Sequence, residues 1–252
     1  MIELSHVSAG YGKHGVLRDV SLSLEKGSLV SIIGVNGCGK STLLKTIPAI
    51  LPITDGSITL DGQSIDDLSR RDIARKVAWL PQGKATADMT VEQMVLHGRF
   101  PYLDYPRRYT KQDRDIAYAA MERSGVAHRA QDPLRSLSGG MRQSACIAMA
   151  LAQSTDYILL DEPATYLDMA HQLALMKTLR ALAGEGKGIV AVMHDLAMAF
   201  TFSDRIILLH DGGILGDDVP AAIAGENAIR QLFGVILERL PGDPGYICRF
   251  SV

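Results

Sequence analysis

The apolar positions of this chain fall into distinct rhythms. In "VSLSLEKG", Val20, Leu22 and Leu24 alternate with polar residues and Gly27 then turns the chain, which predicts a half-buried strand; "IELSHV" reads the same way. "SLVSIIG" is a short continuous apolar run, the kind a buried strand shows. "GSITLDG", "KVAWLPQ", "YILLD", "GIVAVMHD" and "RIILLHDG" are also strand-like. "KSTLLKTIPAI", "MAHQLALMKTLRALAGEG" and "DLAMAFTFS" read as helices placed between strands. Strands separated by helices predict right-handed crossovers and a parallel sheet, hence an α/β fold. From about Ala85 to Gln153 the character changes. "TVEQMVLHGRF", "TKQDRDIAYAAMERSG" and "SGGMRQSACIAMALAQ" look helical, with "FPYLDYPRRY" as a loop between the first two. This middle reads as an inserted helical lobe, and no internal repeat is visible.

The third of these helices poses a problem. Ser138 is a good N-cap, but Gly139 and Gly140 each cost the first turn roughly 1 kcal/mol relative to alanine. Something should approach that helix end closely.

Composition narrows the function. The 252 residues can bury a sizeable core as one domain or a domain with an inserted lobe. A net charge of −2 lacks the basic excess of a nucleic-acid binder. Cys38, Cys146 and Cys248 have no metal-ligand spacing and fit free thiols in a cytosolic chain. The N-terminus has no signal-peptide core, and no apolar run approaches the roughly 20 residues a bilayer span needs. If the protein serves a membrane, another chain does the spanning.

"GVNGCGKST", Gly34 to Thr42, fits G-x-x-x-x-G-K-[ST] between a strand and a helix. Its backbone amides would curl around phosphate oxygens at a positive helix end. Lys40 would reach the β- and γ-phosphates, Ser41 would ligate Mg²⁺, and Thr42 would support the α-phosphate side. Cys38 lies within this loop, where the helix field is expected to favour a thiolate. "YILLDE" delivers Asp161 to a strand's C-terminal end, where ligands sit in open α/β sheets; it would hold Mg²⁺ through water. Glu162 is then placed to polarise a water against the γ-phosphate.

With these motifs assembled, the chain resembles the ATP-binding cassette family, the ATPase subunits of ABC transporters. "GVNGCGKST" is similar to the Walker A loop, "LPQ" to the Q-loop with Gln82, "LSGGMRQ" to the signature motif and "YILLDEP" to Walker B. "ATYLD" resembles the D-loop ending in Asp168, and "MHD" carries the switch histidine, His194. The resemblance implies one cassette over residues 1–252: a mainly parallel core sheet, an antiparallel β subdomain, and a helical subdomain inserted at about 84–155. It implies a catalytic set of Glu162, His194 and Gln82 and a metal set of Ser41, Gln82 and Asp161. ATP would contact Tyr11, Gly34, Asn36, Gly37, Cys38, Gly39, Lys40, Ser41 and Thr42, with Tyr11 stacked on adenine. Ser138, Gly139, Gly140 and Asp168 would complete the site of a second subunit in a head-to-tail dimer, expected to be a homodimer. On this reading a phosphate is what approaches the glycines. ATP closes the dimer and hydrolysis lets it open. Met141, Ser144 and Ala164 depart from the family's commonest residues without removing a phosphate ligand or the catalytic carboxylate.

The chain ends about 40 residues past "RIILLHDG", without the regulatory domain of the sugar importers, a second cassette or a coiled-coil arm. "TYLDMAHQ" and "VLHGRFPY" resemble the ATPases of bacterial iron-siderophore, haem and cobalamin importers. The implied partners are a polytopic permease and, indirectly, a substrate-binding protein, with the ATPase at the cytoplasmic face of the inner membrane. Arg99, Phe100 and Tyr102 become candidate permease contacts. An importer ATPase for zinc, manganese or molybdate, or a soluble cassette acting as an assembly scaffold, remains open.

Overall fold

The computed structural model describes residues 1–83, 88–165, 167–239, 242 and 245–251. Tyr166 of the expected D-loop, and residues 84–87 at the expected start of the insertion, lie outside them.

The N-terminal part is an antiparallel sheet. β1 (Ile2–Tyr11) and β2 (His14–Leu24) form a hairpin. β3 (Leu29–Ile33) and α1 (Lys40–Thr46) then enter the core, and β4 (Ile53–Leu60) and β5 (Gln63–Ser64) return to give the order β2-β1-β4-β5. α2 (Arg70–Lys76) leads into β6 (Val77–Leu80). Three helices follow: α3 (Val91–Leu96), α4 (Lys111–Arg123) and α5 (Gly139–Ala152). The chain then alternates β7 (Tyr157–Asp161), α6 (Met169–Gly184), β8 (Gly188–Val192), α7 (Leu196–Phe202) and β9 (Arg205–His210). β10 (Gly213–Asp218), α8 (Pro220–Ala224), α9 (Asn227–Phe233) and the hairpin β11 (Val235–Arg239)–β12 (Tyr246–Phe250) complete it.

The core sheet runs β10-β9-β3-β8-β7-β6, parallel except for β10. Its central strands β3, β7, β8 and β9 carry mostly apolar runs because both faces are covered. Val30, Leu159, Val190 and Ile207 face the antiparallel sheet and α1 in one core. Leu29, Ile158, Ile189 and Ile206 face α6 and α7 in another. The two sets come from adjacent residues of each strand, as period-2 alternation requires. Helices α3, α4 and α5 close around a third core that includes Val95, Met121, Leu134 and Ala148. Capping boxes start α3 at Thr90 and α4 at Thr110.

Several expected elements differ in extent. The helix of "KSTLLKTIPAI" stops at Thr46, and that of "TVEQMVLHGRF" stops at Leu96 and tightens into a 3₁₀ segment, His97–Tyr102, containing Pro101. A proline removes a helix donor and clashes with the preceding turn, which favours the short ending.

Candidate functional site

Sheet register assembles the centre of the site. Leu80 of β6 pairs with Leu160 of β7, and Asp161 of β7 pairs with Val192 of β8. Just past these pairings the three parallel strands release Gln82, Glu162 and His194 beside one another: Gln82 and Glu162 each lie two residues beyond the first pair, and His194 two beyond Val192. Gln82 Nε2 donates to Glu162 Oε2 at 2.5 Å. His194 Nε2 lies 2.6 Å from Glu162 Oε1, and Thr165 Oγ1 donates to Oε2 at 3.3 Å. The carboxylate is thus held from both sides. Its backbone is in the left-handed region, with φ of 53°. A non-glycine residue there stores on the order of 1–3 kcal/mol and persists only where its surroundings fix it.

One strand over, β3 runs into the glycine-rich loop. Lys40 is buried, and its ammonium donates to Gly34 O at 2.8 Å and Val35 O at 2.9 Å. Gly39 has φ of 109°, and a Cβ there would stand 2.9 Å from Leu17 Cδ2, so the turn into α1 excludes a side chain. Asn36 and Gly37 are exposed at the loop crest, and Thr42 is buried in α1. Ser41 Oγ donates to Asp161 Oδ1 at 2.9 Å. Asp161 is 4% exposed, and burial pushes its carboxyl above the ordinary carboxylate range; Ser41 opposes this and the charge of Glu162 adds to it. A hydroxyl and a buried carboxylate offered together form a hard oxygen donor pair that suits Mg²⁺. Tyr11 stands at the end of β1, 48% exposed, with Lys45 Nζ 5.8 Å from its ring centroid.

Ser138 caps α5 by accepting from Met141 N at 3.3 Å. Asp168 caps α6, accepting from His171 N at 2.9 Å. A cleft lined by Gln82, Gly139, Gln143, Asp161 and Glu162 joins the start of α5 to the carboxylates.

A glycine-rich loop, a hydroxyl–carboxylate pair and a carboxylate bridged by glutamine and histidine lie together beyond the C-terminal ends of the parallel strands. The sequence profile of the ABC transporter family matches residues 17–165, from β2 to Thr165 beside Glu162. The chain belongs to the ABC transporter family. It is an ATP-binding, ATP-hydrolysing subunit of that family. It is 40% identical to the iron(3+)-hydroxamate import ATP-binding protein FhuC of Bacillus subtilis, over 94% of this chain and 89% of that protein. It is 38% identical to the ferric enterobactin transport ATP-binding protein FepC of Escherichia coli, over 91% and 85%. Among solved structures it resembles the dimeric bacterial ABC transporter cassette MJ0796, with a TM-score of 0.75 and 30% identity over 87% of this chain and 99% of that one. No helix among the described residues is long and apolar enough to cross a membrane.

Two readings of the cassette's sequence are corrected by its structure, and a third gains a neighbour. Arg99 is not a surface contact. It is 6% exposed, pairs with Asp113 at 3.0 Å, donates to Ala152 O at 2.9 Å and lies over the Tyr102 ring. Its three-carbon stem lets the guanidinium turn inward to the carbonyls that end α5, leaving Phe100 exposed on the surface. Tyr102 is half-buried and donates to Gln153 O at 3.0 Å. The Cys38 thiol is not favoured as a thiolate: it is 5% exposed, and burial pushes it above the ordinary thiol range despite the nearby Lys40 charge. Desolvation outweighs the field of the seven-residue α1. Gly140, finally, has a neighbour in its own chain. A Cβ there would stand 2.1 Å from His171 Cδ2.

His171, Thr165 and Gln172 escaped the sequence reading. Gln172 Nε2 donates to Ala164 O and Leu167 O, which ties down the loop before α6. Their signal lies in "TYLDMAHQ", where polar residues three and four positions past a helix cap face back toward the preceding loop.

Proposed function

We propose that this chain is the ATPase of a bacterial importer of iron-siderophores, acting as a homodimer held by a polytopic permease at the cytoplasmic face of the inner membrane. The observation that carries the chemistry is the contact of Glu162 with both Gln82 and His194, beside Ser41 and Asp161. The siderophore reading rests on the relatives, whose names specify iron(3+)-hydroxamate import and ferric enterobactin transport.

In this mechanism the amides of Gly34, Asn36, Gly37, Cys38 and Gly39, with Lys40 and Thr42, bind the phosphates of ATP, and Tyr11 covers adenine. Ser41, Asp161 and Gln82 would hold Mg²⁺, which when bound supplies positive charge to the β- and γ-phosphates. Glu162 accepts the proton of the attacking water, and His194 fixes the carboxylate that does so. Ser138, Gly139, Gly140 and Asp168 complete the partner cassette's site. Phe100, exposed with Arg107 stacked on it, is the permease contact on the helical lobe. A substrate-binding protein acts through the permease.

Deleting the gene and measuring uptake of labelled ferric hydroxamate, ferric enterobactin, haem and cobalamin tests this. Uptake of a ferric siderophore should vanish and return with the wild-type gene but not with Glu162→Gln. Normal uptake of both siderophores with loss of haem or cobalamin would overturn the assigned cargo.

A further inference from the structure

The ring that excludes a side chain at Gly140 is itself anchored. His171 Nδ1 lies 2.8 Å from Asp168 Oδ1, and a carboxylate can only accept, so Nδ1 carries the proton. The same carboxylate oxygen caps α6 through His171 N, and Gln172 fastens the preceding loop. His171 therefore cannot swing aside without giving up its bond to Asp168. Its ring edge meets α5 at the first turn. Behind that contact a cavity of about 130 Å³, lined by Gln143, Ser144, Ile147, Leu167 and Leu175 among others, lies between the facing parts of α5 and α6. Beside that cavity, the ring edge lies against the signature turn two residues past Ser138.

We propose that His171 is a positioning residue: held by Asp168, its ring sets the height of the signature turn, so the D-loop and the signature of one chain reach the partner's ATP as one unit. This rests on the two-chain site proposed above. It also answers why Gly140 is glycine from within the chain, because a methyl group there would drive the ring off Asp168.

Two cycles of Gly140→Ala and His171→Ala test it. The first reads melting temperature in the nucleotide-free protein. Alanine is the better helix former, so Gly140→Ala should raise Tm when His171 is alanine and lower it when His171 is present. The same sign in both backgrounds would overturn the contact. The second cycle, in Glu162→Gln protein, reads the ATP concentration at half-maximal dimerisation. His171→Ala should raise it about tenfold, as a small misplacement of a binding group does, with monomer ATP affinity within about twofold. His171→Asn, which keeps a donor for Asp168 but not the ring edge, should behave like alanine. Gly140→Ala should recover dimerisation when combined with His171→Ala. Unchanged dimerisation in His171→Ala, or equal damage by Gly140→Ala in both backgrounds, would overturn the positioning role and leave the partner's phosphate as what excludes the methyl. A Glu162→Gln protein that forms no ATP-dependent dimer would sink the two-chain site and this role with it, while the melting cycle still decides the contact.

Discussion

His194 Nε2 lies 2.6 Å from Glu162 Oε1; the two side chains leave the ends of adjacent parallel strands, one residue past Asp161 and two past its register partner Val192. The contact fixes one carboxylate oxygen while Gln82 fixes the other. A carboxylate held this way is pre-oriented before any substrate arrives.

Glu162→Gln should retain ATP binding and lose turnover roughly a hundredfold or more, since an amide cannot take the proton from water. It should also accumulate an ATP-bound dimer, visible by size exclusion. Steady-state hydrolysis near the wild-type rate would remove Glu162 from the role of base.

His194→Ala leaves the base present but held from one side. The expected outcome is a fall in kcat of about tenfold or more with little change in KM, because an orienting group acts on the transition state rather than on ATP binding. A rise in KM with kcat intact would show that His194 binds nucleotide instead.

The three thiols should label in a definite order. Burial raises all three thiols, Cys146 to about 11, but only Cys248 is exposed, with Cys38 buried and Cys146 partly so. At pH 7.5 to 8, roughly where an ordinary thiol begins to ionise, maleimide should modify Cys248 first and spare the other two until the protein unfolds. Raising the pH should speed Cys146 last. Mass spectrometry of peptides from native protein decides it, and fast labelling of Cys38 would restore a thiolate in the loop.

Arg99 and Asp113 form a pair whose side chains are each 8% exposed. Arg99→Ala leaves a buried carboxylate unpaired and should cost about 3–5 kcal/mol in denaturant unfolding. Burial alone would raise Asp113, but Thr110 and then Arg99 hold it below the ordinary carboxylate value. Its contribution is therefore present above the unfolded pKa of about 3.9 and fades as pH falls through the lower folded value. Asp113→Asn should flatten that acid limb.

The parts of the fold that could be read in the sequence are those where one residue pattern has one solution. The runs in β3, β7, β8 and β9 needed two covered faces, and they have them. "GVNGCGKST" needed a strand before it and a helix after it, and β3 and α1 supply both. The elements that went unread, α2, β10, α8, α9 and the β11–β12 hairpin, are short, and packing decides them: Tyr246 of β12, for example, sits edge-on to Phe200 of α7. Two site properties were illegible for a different reason. Whether Cys38 ionises depends on burial against helix field, and where Arg99 points depends on the carbonyls at the end of α5. Both are balances of three-dimensional terms that a motif does not encode. His171 was illegible because its partner, Gly140, is distant in sequence and carries no side chain.

The shared site has a direct test in two damaged cassettes. Lys40→Ala removes the ammonium that anchors the loop at Gly34 and Val35 and would bind phosphate. Ser138→Arg replaces the cap of α5 with a bulky cation. In either homodimer both composite sites carry a lesion, so neither should trap nucleotide. In a heterodimer one interface collects both lesions and the other joins an intact loop to an intact signature. Mixing the two should therefore restore one ATP-trapping site per heterodimer, because a site confined to one chain could not be repaired by a second mutant. Differently tagged variants, exchanged with the permease present to keep two cassettes at high effective concentration, give the cleanest population. Trapping is the readout, since turnover can require both sites. Purified heterodimers that trap no more ATP than either parent would place the site within a single chain.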